Sequence, residues 1–109
     1  MLKETFDNRF RGWGEQPPAD AVVIHVMRSD GHVLSPSRKL LNDYQLKRIS
    51  WDQFVVRFRE EMNNDFCKGV MKVIKERAKE VDVYLVCACW NKEKKCHRFI
   101  LMDMIEKMD

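Results

Sequence analysis

The stretch that decides the fold is VYLVCACW at residues 83–90, followed by the polar loop NKEKK and by CHRFILMDMIEKM at residues 96–108. A short, almost continuous apolar run of this kind is typical of a strand that is buried on both faces of a sheet. The segment after the loop is amphipathic and predicts a helix. The sequence therefore predicts a strand, a loop and a helix in that order, with Cys96, His97 and Arg98 where the helix begins.

Working outward, AVVIHVM at residues 21–27 is a second β-branched run and predicts another buried strand. The region between the two strands has helical character. A helix is expected to begin at Ser35–Pro36, where a capping hydroxyl precedes a proline. A second begins at Ser50, which with Gln53 fits a capping box, and helical spacing continues to residue 80. Residues 5–11 are expected to form a short edge strand.

This order of elements predicts the α/β class, as a small three-layer-like domain whose narrow, mainly parallel sheet is flanked by helices. The 109 residues, of which 45% are hydrophobic and 34% charged, suit one globular domain over residues 1–109. No apolar run approaches the ~20 residues that span a bilayer, and the N-terminal residues lack the pattern of a secretory signal. We therefore expect a cytoplasmic protein with no membrane partner.

Basic side chains follow both predicted strands, although the net charge is only +3. Arg28 ends the first strand, and Arg98 lies in the first turn of the last helix, where backbone N–H groups are free. If the strands are parallel neighbours, both guanidiniums lie at one sheet edge. We predict binding of an anionic, phosphate-bearing small molecule or nucleic acid by Arg28, Cys87, Cys96, His97 and Arg98. The alternative is that Arg98 pairs with a carboxylate inside the protein.

The same residues also allow catalysis, in a cysteine-dependent enzyme. Cys96 would be the nucleophile, activated by His97 and by the end of the helix, and Arg98 would orient the substrate. A third alternative is an interaction protein without catalysis, forming a homodimer through its aromatic helix face and narrow sheet.

The cysteines form the pattern Cys-x-Cys-x6-Cys-His, made of Cys87, Cys89, Cys96 and His97. These are residue types that bind zinc, but the spacing matches no standard zinc ribbon or finger. We therefore expect no metal or other cofactor, with zinc as the alternative. A disulfide framework is also not expected, because cytosolic cysteines usually stay reduced.

Several of these motifs together resemble the domain-of-unknown-function family 488, in its short form. The resemblance rests on LVCAC at residues 85–89 and on CHR at residues 96–98. It extends to LSPS at residues 34–37, to ISWDQF at residues 49–54 and to Arg28 after the first strand. The family implies a compact α/β fold, but it carries no established activity, substrate or cofactor.

One position departs from that family pattern. Family members carry glutamate where this chain has Cys89. The missing carboxylate could have acted as a base or paired with an arginine. We therefore do not expect a mechanism that depends on it to operate in this chain.

Overall fold

The computed structural model describes residues 1–8, 10, 12–27, 31–89 and 95–108. Within these residues lie four strands and four helices. In chain order they are β1 (Leu2–Asn8), β2 (Gly12–Trp13), β3 (Val22–His25), α1 (Arg38–Gln45), α2 (Trp51–Met62), α3 (Asp65–Ala78), β4 (Val83–Cys87) and α4 (His97–Glu106).

The strands form one sheet in the order β2-β1-β4-β3. Strands β1, β4 and β3 run parallel, and β2 pairs antiparallel with the end of β1. All five residues of β4 are buried, as its apolar run predicts. The predicted mainly parallel α/β fold is therefore confirmed. The predicted burial of the other strand is wrong: β3 lies at the edge of the sheet, and none of its four residues is buried.

The N-terminal strand differs from its prediction. It begins at Leu2, and it lies between β2 and β4 instead of at the edge of the sheet. Its ladder with β4 runs from the pair Leu2↔Val83 to the pair Phe6↔Cys87. The sequence pattern missed this register because Leu2 and Phe6 are the only apolar residues of the strand, which therefore does not stand out as a buried run.

The predicted start of α2 is confirmed, and the predicted start of α1 is not. α2 begins with the expected capping box: Ser50 Oγ accepts from the backbone of Gln53 at 3.1 Å, and Gln53 Oε1 accepts from the backbone of Ser50 at 2.8 Å. The predicted start of α1 at Ser35 is wrong. Ser37 is the cap there, because its Oγ accepts from the Leu40 backbone, whereas the hydroxyl of Ser35 donates to the carbonyl of His32.

The core lies between the helices and one face of the sheet, where Val83 and Leu85 meet apolar side chains from all four helices. The opposite face carries Tyr84, which is 2% exposed and donates its hydroxyl to Glu15 at 2.6 Å. The segment that follows β2 therefore covers the second face. Among the helices of the described residues, none combines the length and the apolar character needed to cross a membrane.

Candidate functional site

Three of the predicted site residues converge at the carboxyl end of the central strand. Cys87 is the last residue of β4, Cys96 is the N-cap of α4 and His97 is its first residue. All three are buried, and their side-chain ligand atoms lie within 4.8 Å of one another. The carboxyl edge of a parallel sheet is the usual place for ligands in open α/β folds, so the fold puts these groups where chemistry is expected.

The imidazole of His97 is held in one orientation. Its Nε2 lies 2.5 Å from the carbonyl oxygen of Val26, which can only accept a hydrogen bond, so Nε2 carries a proton. Burial lowers the pKa of His97 below its ordinary value, which favours the neutral ring. The unprotonated Nδ1 therefore faces the Sγ of Cys96, at 3.7 Å. The side chains of Cys96 and His97, which are adjacent in the sequence, are therefore also in contact.

Cys89 adds a third thiol to this group. Of the four cysteines, all of which lie in the described residues, only Cys89 is exposed. Hydrogen bonds from Cys87 and Cys96, helped by the charge of Arg98, lower the pKa of Cys89 to about 3. Hydrogen bonds to Cys87 and Cys89, together with burial, raise the pKa of Cys96. A thiolate is therefore favoured at the exposed sulfur of Cys89 over the buried sulfur of Cys96.

Arg98 is engaged inside the protein. Its side chain is 3% exposed; Nε donates to Glu4 Oε2 at 2.7 Å, and Nη1 donates to the backbone oxygen of Cys89 at 2.8 Å. Burial alone would lower the pKa of Arg98, but the hydrogen bond to Glu4 and the nearby thiols raise it overall. The guanidinium therefore ties β1 to the segment after β4 and fixes the backbone of Cys89.

The other predicted anion ligand, Arg28, lies outside the described residues, as does most of the lysine-rich loop. The convergence of Arg28 with Arg98 therefore stays a prediction, because the described residues do not include Arg28.

A cavity opens beside the thiols. It has a volume of about 160 Å³; the buried Cys96 and His97 lie at its floor, and the exposed Cys89 lies at its rim. Its walls come from α1 and α2, through Tyr44, Trp51 and other side chains. The site is thus a pocket with reactive groups at one end and aromatic rings at the other.

The donor set at the floor has metal-binding chemistry. Two thiol sulfurs and an imidazole nitrogen suit zinc, and a carbonyl that holds the distal histidine N–H is a common partner of a metal-bound histidine. Cys87, Cys96 and His97 could therefore hold a metal ion, with Cys89 beside them. Zinc binding stays a prediction, as an alternative to the expected absence of a metal.

Comparison with known proteins identifies the family. The family model described as the active DUF488-N3 subclade, DUF488-N3a, matches residues 5–109. The chain belongs to the DUF488-N3a family. No curated protein and no solved structure matches it. The resemblance to family 488 in its short form is confirmed, and the matched range contains the site residues described above except Glu4.

Sequence reasoning missed several parts of the site in this DUF488-N3a chain. The carbonyl of Val26 carries no side-chain signature, and Glu4 lies 94 residues from Arg98 in the chain. Trp51 and Phe54 were expected to serve only the core or an interface, yet both line the cavity. The signal that could have found Glu4 is the buried Arg98 itself, because a guanidinium buried in a first helical turn requires a carboxylate.

Proposed function

We propose that this DUF488-N3a chain is a cysteine-dependent enzyme whose nucleophile is Cys89. The observation that carries the proposal is the placement of one exposed sulfur at the mouth of a pocket, against two buried thiols. A nucleophile must reach its substrate, and Cys96, the candidate that the sequence favoured, is only 3% exposed. The description of the family as an active subclade agrees with an enzymatic role.

The neighbouring groups have roles that support this assignment. Cys87 and Cys96 donate hydrogen bonds that stabilise a thiolate at Cys89. Arg98 fixes the Cys89 backbone through its bond to the carbonyl oxygen and adds positive charge nearby. His97 presents an unprotonated Nδ1 to the floor of the pocket, since its Nε2–H is held by Val26. Nucleophile, base and orienting group thus form the arrangement that covalent catalysis requires.

A thiolate nucleophile that acts without an oxidant or a reductant is suited to hydrolysis. The sulfur of Cys89 bonds to the carbon of a C=O or C=N group, and the leaving group departs with its electron pair and takes up a proton. Water then attacks the same carbon, the S–C bond breaks, and the thiolate returns. One proton of the water stays on the product. His97 Nδ1 accepts the other and releases it to solvent, which replaces the proton that the leaving group took from solvent. The net reaction is a hydrolysis, and it consumes neither oxidant nor reductant.

The test uses a general acylating reporter, para-nitrophenyl acetate. We expect release of nitrophenolate together with an acetyl group on Cys89, located by peptide mass spectrometry. Cys89→Ser should abolish both signals. The matched control is Cys67→Ser, because Cys67 is a buried thiol on α3, away from the site, and its loss should change neither signal.

Two outcomes would contradict the proposal. One is an acetyl group spread evenly over Cys67 and Cys89, or nitrophenolate release that survives Cys89→Ser. The other concerns zinc, measured on the same samples: stoichiometric zinc that is lost in Cys96→Ser would mean that the sulfur lone pairs serve a metal instead of a substrate.

Anion binding at the start of α4 is retained as a second candidate. The observation in its favour is that the first turn of α4 contains no acidic side chain and that Cys96 makes no side-chain capping bond. Backbone N–H groups there remain suited to phosphate. The test is a titration with phosphate and with short oligonucleotides, followed by amide chemical shifts at residues 97–99. Unchanged shifts would exclude it.

The homodimer also stays a prediction. Phe54 and Phe58, on the aromatic helix face predicted to pair, are buried in the core, whereas Phe66 and Val73 of α3 are each 68% exposed and offer an apolar strip for association instead. Sedimentation at high protein concentration would detect it, and a monomer at every concentration would contradict it. The cytoplasmic location likewise stays a prediction.

A further inference from the structure

The cavity beside the thiols has the size of one small ring. Its volume is about 160 Å³. An apolar protein cavity of about 150 Å³ holds a benzene molecule, so this one has room for a single six-membered ring. A substrate would therefore enter with one ring and leave the rest of its structure outside.

The walls of the cavity are aromatic. Trp51 and Phe54 are stacked with an interplanar angle of 12° and centroids 5.1 Å apart. Tyr44 is tilted against both, at 57° to Trp51 and 49° to Phe54. Aromatic rings favour flat partners, which can lie offset-stacked or edge-to-face against them. A puckered ring of equal volume would make fewer contacts with these walls.

Polar groups stand at the rim, where a ring edge would face them. Gln45 is exposed at the end of α1 and lines the cavity, as does Cys89. A carboxamide offers a donor and an acceptor side by side, which matches the N–H and C=O pattern on the edge of a nitrogen heterocycle.

We propose that this cavity binds one planar nitrogen heterocycle, stacked near Trp51 with its polar edge toward Gln45, and that Cys89 attacks a ring carbonyl carbon of that substrate. The ring C–N bond then breaks, the nitrogen keeps the electron pair and takes up a proton, and water releases the opened ring from the sulfur. The inference rests on the proposed function for the attack, but the binding of the ring does not depend on it. Two experiments therefore separate the two ideas.

The binding experiment compares uracil with dihydrouracil. The two molecules share the same uncharged polar edge and differ in that only uracil is a flat aromatic ring. The protein is the full chain carrying Cys89→Ser, which removes the reaction and leaves the walls intact. We expect uracil to shift the amide signals of Tyr44 and Trp51 in a saturable titration. Dihydrouracil should bind about 10-fold more weakly, the size of a lost stacking interaction.

Variants locate the binding. Trp51→Ala should weaken uracil binding about 10-fold, whereas Trp51→Phe, which keeps an aromatic ring, should stay within about 3-fold. Gln45→Ala should also weaken it, and Gln45 is exposed, so this variant does not threaten the fold. Val73→Ala on the distant face of α3 is the control and should change nothing.

Equal affinities for the two probes, or no saturable shift at Tyr44 and Trp51, would overturn the inference. A failure of the proposed function would look different. In that case uracil would still bind as described, while the wild-type chain would take up no acetyl group at Cys89 from the reporter.

Discussion

The Nε2–H of His97 donates to the carbonyl oxygen of Val26 at 2.5 Å, across 71 positions of sequence. This bond joins the first residue of α4 to the residue that follows β3. It also decides which ring nitrogen carries the proton. A carbonyl oxygen can only accept a hydrogen bond, so Nε2 must be the protonated nitrogen. Every role proposed for Nδ1 depends on it.

This relationship predicts a pH effect on stability. Burial lowers the pKa of His97 in the folded state, whereas the unfolded chain has the ordinary value near 6.5. Below that value the unfolded state binds more protons than the folded state, so the free energy of unfolding falls as the pH drops through about 6.5. The slope from one such group cannot exceed about 1.4 kcal/mol per pH unit.

Denaturant unfolding at a series of pH values between about 5 and 7.5 would measure that slope. His97→Gln keeps a donor for the Val26 carbonyl and cannot titrate, so its curve should be flatter in this window. The carboxyls with lowered pKa values, Asp43 and Asp103, titrate at lower pH and do not interfere. A wild-type slope identical to that of His97→Gln would show that His97 does not stay neutral.

Arg98 predicts a contrast between a buried ion pair and an exposed one. Removing the guanidinium leaves Glu4 without its partner and frees the Cys89 carbonyl, so Arg98→Ala should lower the free energy of unfolding by about 3 kcal/mol. Arg59→Ala breaks a pair with Asp103 in which both side chains are well exposed, and it should cost less than about 1 kcal/mol.

Chemical denaturation of both variants checks the contrast. A loss below about 1 kcal/mol for Arg98→Ala would mean that the buried pair contributes no more than a surface pair. Arg98→Lys adds a second measurement: a lysine keeps the charge but cannot reach Glu4 and the Cys89 carbonyl with two separate N–H groups in a fixed plane, so part of the stability should still be lost.

Cys89 predicts an unusual pH profile of alkylation. With a pKa of about 3, its thiolate fraction is already complete at about pH 5, so the rate with iodoacetamide should be flat between about pH 5 and pH 8. A free cysteine slows about 10-fold for each pH unit below its pKa of about 8.5. Mass spectrometry of the Cys89 peptide at each pH would give the profile.

The absolute rate of Cys89 alkylation is a poorer test of a stabilised thiolate than the dependence of that rate on pH. Intrinsic nucleophilicity falls with thiol pKa, with a Brønsted coefficient of about 0.4–0.5, so a thiolate of such low pKa is individually slow. The same low pKa makes Cys89 a good leaving group, which favours the second half of a covalent cycle. A rate that rose steadily with pH up to about 8.5 would show that Cys89 holds no stabilised thiolate.

Much of the fold could be predicted from local patterns. The buried strand at residues 83–87, the existence of a second strand near residue 24 and the capping box at Ser50 each carry a strong signal, and each was confirmed, although the second strand is not buried. The position of β1 could not be predicted, because its parallel neighbour β4 lies about 80 residues away in the sequence and β-pairing depends on that partner.

The candidate site, like the fold, could be predicted from the sequence only in part. The meeting of Cys87, Cys96 and His97 follows from parallel strand ends and a helix start, which the sequence does predict. The identity of the exposed thiol does not follow, because Cys87 and Cys89 look equivalent in the pattern. Only the end of β4 at Cys87 distinguishes them: Cys89 lies beyond the strand, where solvent reaches it.

Two glycines predict opposite responses to the same substitution. A Cβ at Gly14 would lie 2.7 Å from the Phe6 ring and 2.8 Å from Thr5 Oγ1, so Gly14→Ala must displace β1 side chains and should destabilise the fold by about 1–3 kcal/mol. At Gly69, inside α3, nothing lies within 4 Å of a Cβ, so Gly69→Ala should stabilise the fold by about 0.5–1 kcal/mol. Thermal unfolding of the pair measures both signs at once. If both variants shifted the midpoint in the same direction, then either the segment after β2 would not pack on β1 as described, or α3 would not be open to solvent at Gly69.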